Sequence, residues 1–115
     1  MNTHIKGVKG EDLAFEYLLK KKYKILERNF RCHFGEIDIV AMDGKSYVFV
    51  EVKSRKNDRF GLPREAVTVY KQQTIVKCAT YWLAINSLTG YPVRFDVVEI
   101  LDGKVTLLKD AFRPL

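Results

Sequence analysis

The chain carries 115 residues, 47% of them hydrophobic and 30% charged, the mix of an ordinary globular domain that at this length buries roughly two thirds of the surface its unfolded form exposes. Its longest apolar runs, such as Tyr47 to Val50, fall far short of the roughly 20 residues a bilayer span requires, and the opening Met-Asn-Thr-His-Ile-Lys-Gly lacks the apolar stretch and cleavage site of a secretory signal, so the chain is expected to meet no membrane and to stay in the cytoplasm. Lys plus Arg total 20 against 14 Asp plus Glu, a net charge of +6, which favours a polyanionic partner wherever the positive charge is gathered on one segment.

From about Gly10 to Lys22, Leu13, Ala14, Tyr17 and Leu18 recur at helical spacing, and Lys20, Lys21 and Lys22 complement the dipole at the end. Lys24 to Arg31 reads as a first strand, followed by a loop through Cys32, His33, Phe34 and Gly35. Glu36 to Met42 and Lys45 to Lys53 are β-rich runs joined by Asp43-Gly44, a strong hairpin signal. A basic loop then runs to about Pro63. A second helix is expected from there to near Asn86, with Ile75, Ala79, Trp82 and Leu83 as its apolar stripe. Val93 to Leu101 and Lys104 to Leu108 form another hairpin around Asp102-Gly103. The order αβββαββ, unbroken by repeats or Pro/Gly/Ser linkers, predicts one α/β domain over residues 1–115 with a mixed central sheet flanked by helices. Cys32 and Cys78 make neither a disulfide framework nor a zinc knuckle, and Cys32 beside His33 lacks a second ligand pair at zinc spacing.

The first hairpin carries the chemistry. A two-residue Asp43-Gly44 turn sets Met42 opposite Lys45, Asp38 opposite Phe49 and Glu36 opposite Glu51. Alternation then puts Glu36, Asp38, Glu51 and Lys53 on one face with Val40, Tyr47 and Phe49, and Ile37, Ile39, Val48, Val50 and Val52 on the other. Asp38 and Glu51 become diagonal neighbours, roughly 7 to 8 Å apart at the backbone, a gap two carboxylates can close around one cation. Solvent-facing acids on a half-exposed hairpin are the simpler reading. Apolar neighbours on both faces argue against it, because crowded acids in partly buried surroundings repel and protonate unless a cation offsets them. All-oxygen ligation suits Mg²⁺ or Mn²⁺. Lys53 reaches a scissile phosphate from the same face, the arrangement of a phosphodiesterase. Glu11 stands one helical step from Phe15 and Leu18 on an inward side of the first helix, near its expected start, where the helix dipole alone would also account for it.

Asp38, a turn, then Glu51-Val52-Lys53 resembles the signature of the PD-(D/E)xK phosphodiesterases. Gly7-x-x-Gly10-Glu11-x-x-Ala14, Asn29 with Gly35-Glu36-Ile37-Asp38-x-Val40, Val50-Glu51-Val52-Lys53-x-Arg55, Ala66-Val67 with Lys71-Gln72, and Arg94-Phe95-Asp96-Val97 together resemble the YraN-like family of small bacterial proteins over nearly the whole chain. The resemblance implies the restriction-endonuclease-like αβββαβ core, Asp38, Glu51 and Lys53 at a metal site, and Glu11 contributed by the first helix as in the similar archaeal Holliday-junction resolvases. Ile37 stands where older forms of the motif carry Pro, and the carboxylate remains. Glu36 is a further ligand candidate.

Between Lys53 and Arg64 lie five basic residues in twelve, with one acid. Arg55, Lys56, Arg59 and Arg64 are therefore expected on the phosphates of a nucleic acid, with Phe60 stacking on a base. Lys71 and Gln72 sit where they can point back toward the site, although helix-start chemistry explains them nearly as well. Arg94 and Asp96 share a strand face and read as an ion pair supporting the sheet. The expectation is a metal-dependent endonuclease on structured or branched nucleic acid, DNA in preference to RNA. The rival is a non-catalytic nucleic-acid-binding module on the same fold. A homodimer would let two sites meet two strands, with Tyr81 and Trp82 as candidate interface aromatics.

Overall fold

The computed structural model describes residues 3–55 and 67–114. The elements run α1 (Thr3–Lys20), β1 (Lys24–Cys32), β2 (Gly35–Asp43), β3 (Ser46–Arg55), α2 (Val69–Ile85), β4 (Val93–Leu101) and β5 (Lys104–Phe112). The strands form one five-stranded sheet in the order β1-β2-β3-β4-β5. All neighbours are antiparallel except β3 and β4, which lie parallel. A parallel pair needs a long crossover, and α2 lies within it. The architecture is the mixed α/β fold expected from the element order, compatible with an αβββαβ nuclease-like core extended by β5.

The two helices cover opposite faces. Ala14 and Leu18 of α1 pack on Ile39, Ala41, Val48, Val50, Val98 and Ile100. On the other face Ile75, Cys78, Ala79 and Trp82 of α2 pack on Val40, Phe49, Phe95 and Val97. Burial on both sides explains why β3 reads as a nearly continuous apolar run. α1 starts earlier than its apolar stripe indicates and buries a narrower one, since Leu13 lies 43% exposed. Trp82 is buried in the core, ring against ring with Phe49, and donates through Nε1 to Glu27. It is therefore no interface aromatic; the sheet-facing stripe of α2 includes it. Tyr81, one residue away, remains 38% exposed.

A second polar cluster ties β4 to its surroundings. Asp96, fully buried, accepts two hydrogen bonds from Arg94 (both 2.8 Å), one from the Tyr23 hydroxyl (2.8 Å) and one from the Asp110 backbone N–H (2.9 Å). The expected Arg94–Asp96 pair is thus present, and Arg94 also reaches Asp43 at 2.9 Å. Asp110 takes a positive φ of 54° inside the β4–β5 irregularity between Phe95 and Val97. Asp96 therefore fastens a bulge that its own ladder pairing cannot hold. Burial and then the hydrogen bond to Asp96 push the Tyr23 phenol above its usual range. Replacing Asp96 by Ala strands Arg94, Tyr23 and the Asp110 amide together, and a loss of about 3–5 kcal/mol in urea-unfolding stability is expected.

Candidate active site

The hairpin register differs from the one the Asp43-Gly44 turn suggests. Asp43 pairs with Ser46, Met42 with Tyr47, Val40 with Phe49 and Ile39 with Val50. The turn residues are therefore Gly44 and Lys45, with Gly44 at φ 62°. The reason lies outside the hairpin: Arg94 at 2.9 Å and Lys109 at 3.4 Å hold the Asp43 carboxylate, which draws Asp43 into the strand. This slip of two residues preserves the faces, because side chains alternate with a period of two. It changes the geometry in one respect. One step beyond Ile39–Val50, Asp38 comes level with Glu51 instead of diagonal to it.

At that step the strands part. The β2–β3 ladder ends at Ile39–Val50, and the β1–β2 ladder pairs Arg28 with Ile39 and Phe30 with Ile37 while skipping Asn29 and Asp38. In place of a ladder bond, the Asp38 carboxylate accepts the Val52 backbone N–H at 2.7 Å. The interruption also breaks alternation: Ile37 packs with the α2-side cluster, whereas Ile39 packs on the α1 side. The expectation that these two share a face fails there. On its other edge β3 pairs with β4 without a break from Tyr47 to Arg55, so the opening lies on the β2 side only.

Asp38 and Glu51 meet in this opening, 8% and 7% exposed, close enough for each carboxyl to act on the other. Burial, followed by the charge of Asp38, pushes the Glu51 carboxyl up to about 8, against the pull of Lys71 and Lys53. Burial raises Asp38 as well, opposed chiefly by the Val52 N–H. One proton shared between the two acids relieves their repulsion. The Lys71 ammonium approaches from α2, 3.9 Å from Glu51. Its helix start is fixed by Thr68, whose hydroxyl accepts the Lys71 N–H at 3.1 Å. Lys71 thus serves the helix start through its backbone and the acids through its side chain. The Gln72 amide instead donates to the Val67 carbonyl at 3.0 Å.

Glu11 lies in the middle of α1, where a helix-start reading does not apply. Gly10 lets the helix come close at this point, since a Cβ there would run into Ser54 Oγ of β3. Burial and then the charge of Asp38 raise the Glu11 carboxyl. Asn29 steadies it: with its NH₂ turned toward α1, the amide donates to both Glu11 oxygens at 3.2 and 3.1 Å. Asn29 occupies φ 55° at the skipped ladder position, a conformation asparagine tolerates better than most residues. Its role as a positioning residue is the one the sequence reading does not assign. Glu36 pairs with Arg31 at 3.1 Å and acts on Asp38 and Glu11 through its charge. Lys53 is half-buried on β3 beyond Glu51. Arg55 grips the buried Glu99 with two hydrogen bonds of 2.8 and 3.1 Å. Lys56, Arg59, Phe60 and Arg64 lie outside the described residues. Among the described residues no three His, Cys, Asp or Glu side chains form a ready-made metal cage. The close pair is Asp38 with Glu51; Glu36 acts on Asp38 through its charge, and Asp38 on Glu11.

Residues 10–100 match the sequence pattern of the uncharacterised protein family UPF0102. The chain belongs to that family. A UPF0102 protein of Caldicellulosiruptor bescii is 51% identical over 97% of this chain and 100% of its own length. One from Geotalea uraniireducens is 50% identical over 92% of this chain and 87% of its own, and one from Geobacter metallireducens 55% over 87% and 84%. The resemblance drawn from the motifs is thereby established at the level of the family.

The Glu51 shift has a defined sign. A carboxyl whose folded pKa of about 8 exceeds its ordinary value of 4.5 binds its proton more tightly in the folded state. Its contribution is complete below about 4.5 and is lost as pH rises through 8. Metal-free protein is expected to lose stability over that window. Glu51→Gln should flatten the dependence and gain roughly 2–4 kcal/mol over the parent at pH 8.5, read from urea unfolding at a series of pH values.

Proposed function

We propose that this UPF0102 protein is a metal-dependent endonuclease hydrolysing phosphodiester bonds in structured or branched DNA. The observation that carries the reading is the buried Asp38–Glu51 pair at the parting of β2 and β3, with Lys71 beside it and Lys53 on the same strand as Glu51. The donor set suits a hard divalent cation, Mg²⁺ or Mn²⁺: two buried carboxyls that repel each other gain from a positive ion between them. Asp38 and Glu51 would hold it, with Glu36 and Glu11 as further acids on its outer side. When bound, the ion supplies Lewis acidity toward a phosphate oxygen and lowers the pKa of water.

The chain's own residues supply the rest. The Lys53 ammonium stabilises the negative charge that grows on the phosphate, and Asn29 holds Glu11 toward Asp38. Arg55, Lys56, Arg59, Arg64, Lys71 and Gln72 bind the flanking backbone, Arg55 while its guanidinium also engages Glu99. The preference for DNA rests on the likeness of the motifs to junction resolvases, and the reading takes the protein to be cytoplasmic. Among the described residues no helix is long and apolar enough to cross a membrane. Homodimerisation would set two such sites against two strands, with Tyr81 rather than Trp82 available at a contact. The second reading, a nucleic-acid-binding module without turnover, is supported by the same basic residues and needs no cation.

Two measurements separate them. Mg²⁺ or Mn²⁺ should raise Tm at pH 8 in the parent protein and fail to do so in Asp38→Asn and Glu51→Gln. Labelled branched, flapped and linear DNA should be cut in the presence of the metal, with losses of about 100-fold or more in Glu51→Ala and Lys53→Ala. DNA binding that persists in all of these proteins with no metal-dependent cutting establishes the binding module instead.

A further inference from the structure

Cys32 and Cys78, unmatched in the sequence and 46 positions apart, come together in the fold with their Sγ atoms 3.5 Å from each other. Both are free thiols, Cys32 half-buried at the end of β1 and Cys78 buried on the sheet-facing side of α2. A disulfide bond is about 2.05 Å long, so the two sulfurs need to approach by only about 1.5 Å. We propose that Cys32 and Cys78 form a reversible dithiol–disulfide pair, oxidised by a peroxide, that staples α2 to the end of β1.

The location gives the staple its consequence. Cys78 lies seven residues beyond Lys71, about two helical turns along one face of α2. Between them Thr74 packs on the first residue of β2: a Cβ added to Gly35 would sit 2.7 Å from Thr74 Cγ2 and 3.7 Å from Cys78 Sγ. The crosslink therefore joins the helix that brings Lys71 to Glu51 with the strand ends that lead into Glu36 and Asp38.

The two sulfurs have different parts in the step. Cys32 is the one solvent reaches, whereas burial and the hydrogen bond with Cys32 push the Cys78 thiol up to about 12. The Cys32 thiolate attacks one peroxide oxygen and the O–O bond breaks. The second oxygen leaves as hydroxide and takes a proton to become water. Cys32 is now a sulfenic acid, its sulfur having given two electrons to the peroxide. The Cys78 sulfur then attacks the Cys32 sulfur, the S–O bond breaks, and the hydroxyl departs as water with the Cys78 proton. Two thiols and one hydrogen peroxide give one disulfide and two waters. An added dithiol reverses the bond by exchange.

The inference stands independently of the endonuclease reading, and its test needs no cleavage assay. The full chain is treated with stoichiometric hydrogen peroxide, then examined by intact mass, thiol titration, non-reducing electrophoresis and thermal unfolding. The expected product is a monomer lacking two hydrogens, with no titratable thiol and a Tm about 10 °C above the reduced form, reverting with dithiothreitol. Cys32→Ser and Cys78→Ala, each checked for folding by circular dichroism, should show neither the monomeric crosslink nor the Tm rise. The half-buried Cys32 position keeps the test decisive if the core substitution unfolds the chain. Two thiols still titratable after peroxide, products that only gain oxygen, or crosslinks only between chains would overturn the pair.

Discussion

Burying two carboxyls side by side costs more than burying either alone, because each loses its hydration and then meets the other's charge. Asp38 and Glu51 bear both costs at 8% and 7% exposure. What offsets them is a short set of local partners: the Val52 N–H at 2.7 Å and the Lys71 ammonium at 3.9 Å. The partners exist because β2 leaves its ladders at Asp38 while β3 stays fully paired to β4. That one-sided parting frees the Val52 amide and admits Glu11 from α1 and Lys71 from α2.

Another buried acid shows what full satisfaction looks like in the same sheet. Asp96 has no exposed surface and receives four hydrogen bonds, two of them from Arg94. It needs nothing more, and its work is to hold Tyr23, a β5 bulge and, through Arg94, Asp43. Asp38 and Glu51 are comparably buried but have fewer donors and one another for company. Evenly paired charge marks a structural cluster, whereas titratable groups shifted by burial and by one another are the kind found more often at working sites. The two clusters are connected mechanically, since the grip of Arg94 on Asp43 sets the register that brings Asp38 level with Glu51.

Much of this was legible in the residues themselves. Alternating apolar positions and Asp-Gly pairs located both hairpins, and the second closes as expected, with Leu101 paired to Lys104 and Asp102 and Gly103 both at positive φ. The first slipped because Arg94 and Lys109, 51 and 66 positions from Asp43, act on it from strands that local turn chemistry does not include. The common face of Asp38 and Glu51 survived because the slip was even. The placement of Ile37 did not, since alternation assumes an unbroken strand and the break at Asn29 and Asp38 depends on three strands and a helix. Trp82 lay within its own stripe from the start, yet size and aromaticity made it look like an interface residue. The Cys32–Cys78 approach was beyond reach, because it depends on how α2 settles across the β1–β2 turn.

The central proposal is that Asp38 and Glu51 share a proton that a bound cation displaces. Carbon-13 NMR of side-chain carboxyls, assigned through Glu51→Gln and followed from pH 3 to 10 with and without Mg²⁺, tests it most directly. The account predicts a Glu51 midpoint near 8 in metal-free protein and a marked fall when Mg²⁺ is added. A Glu51 titration in the ordinary carboxylate range, indifferent to the metal, would contradict it.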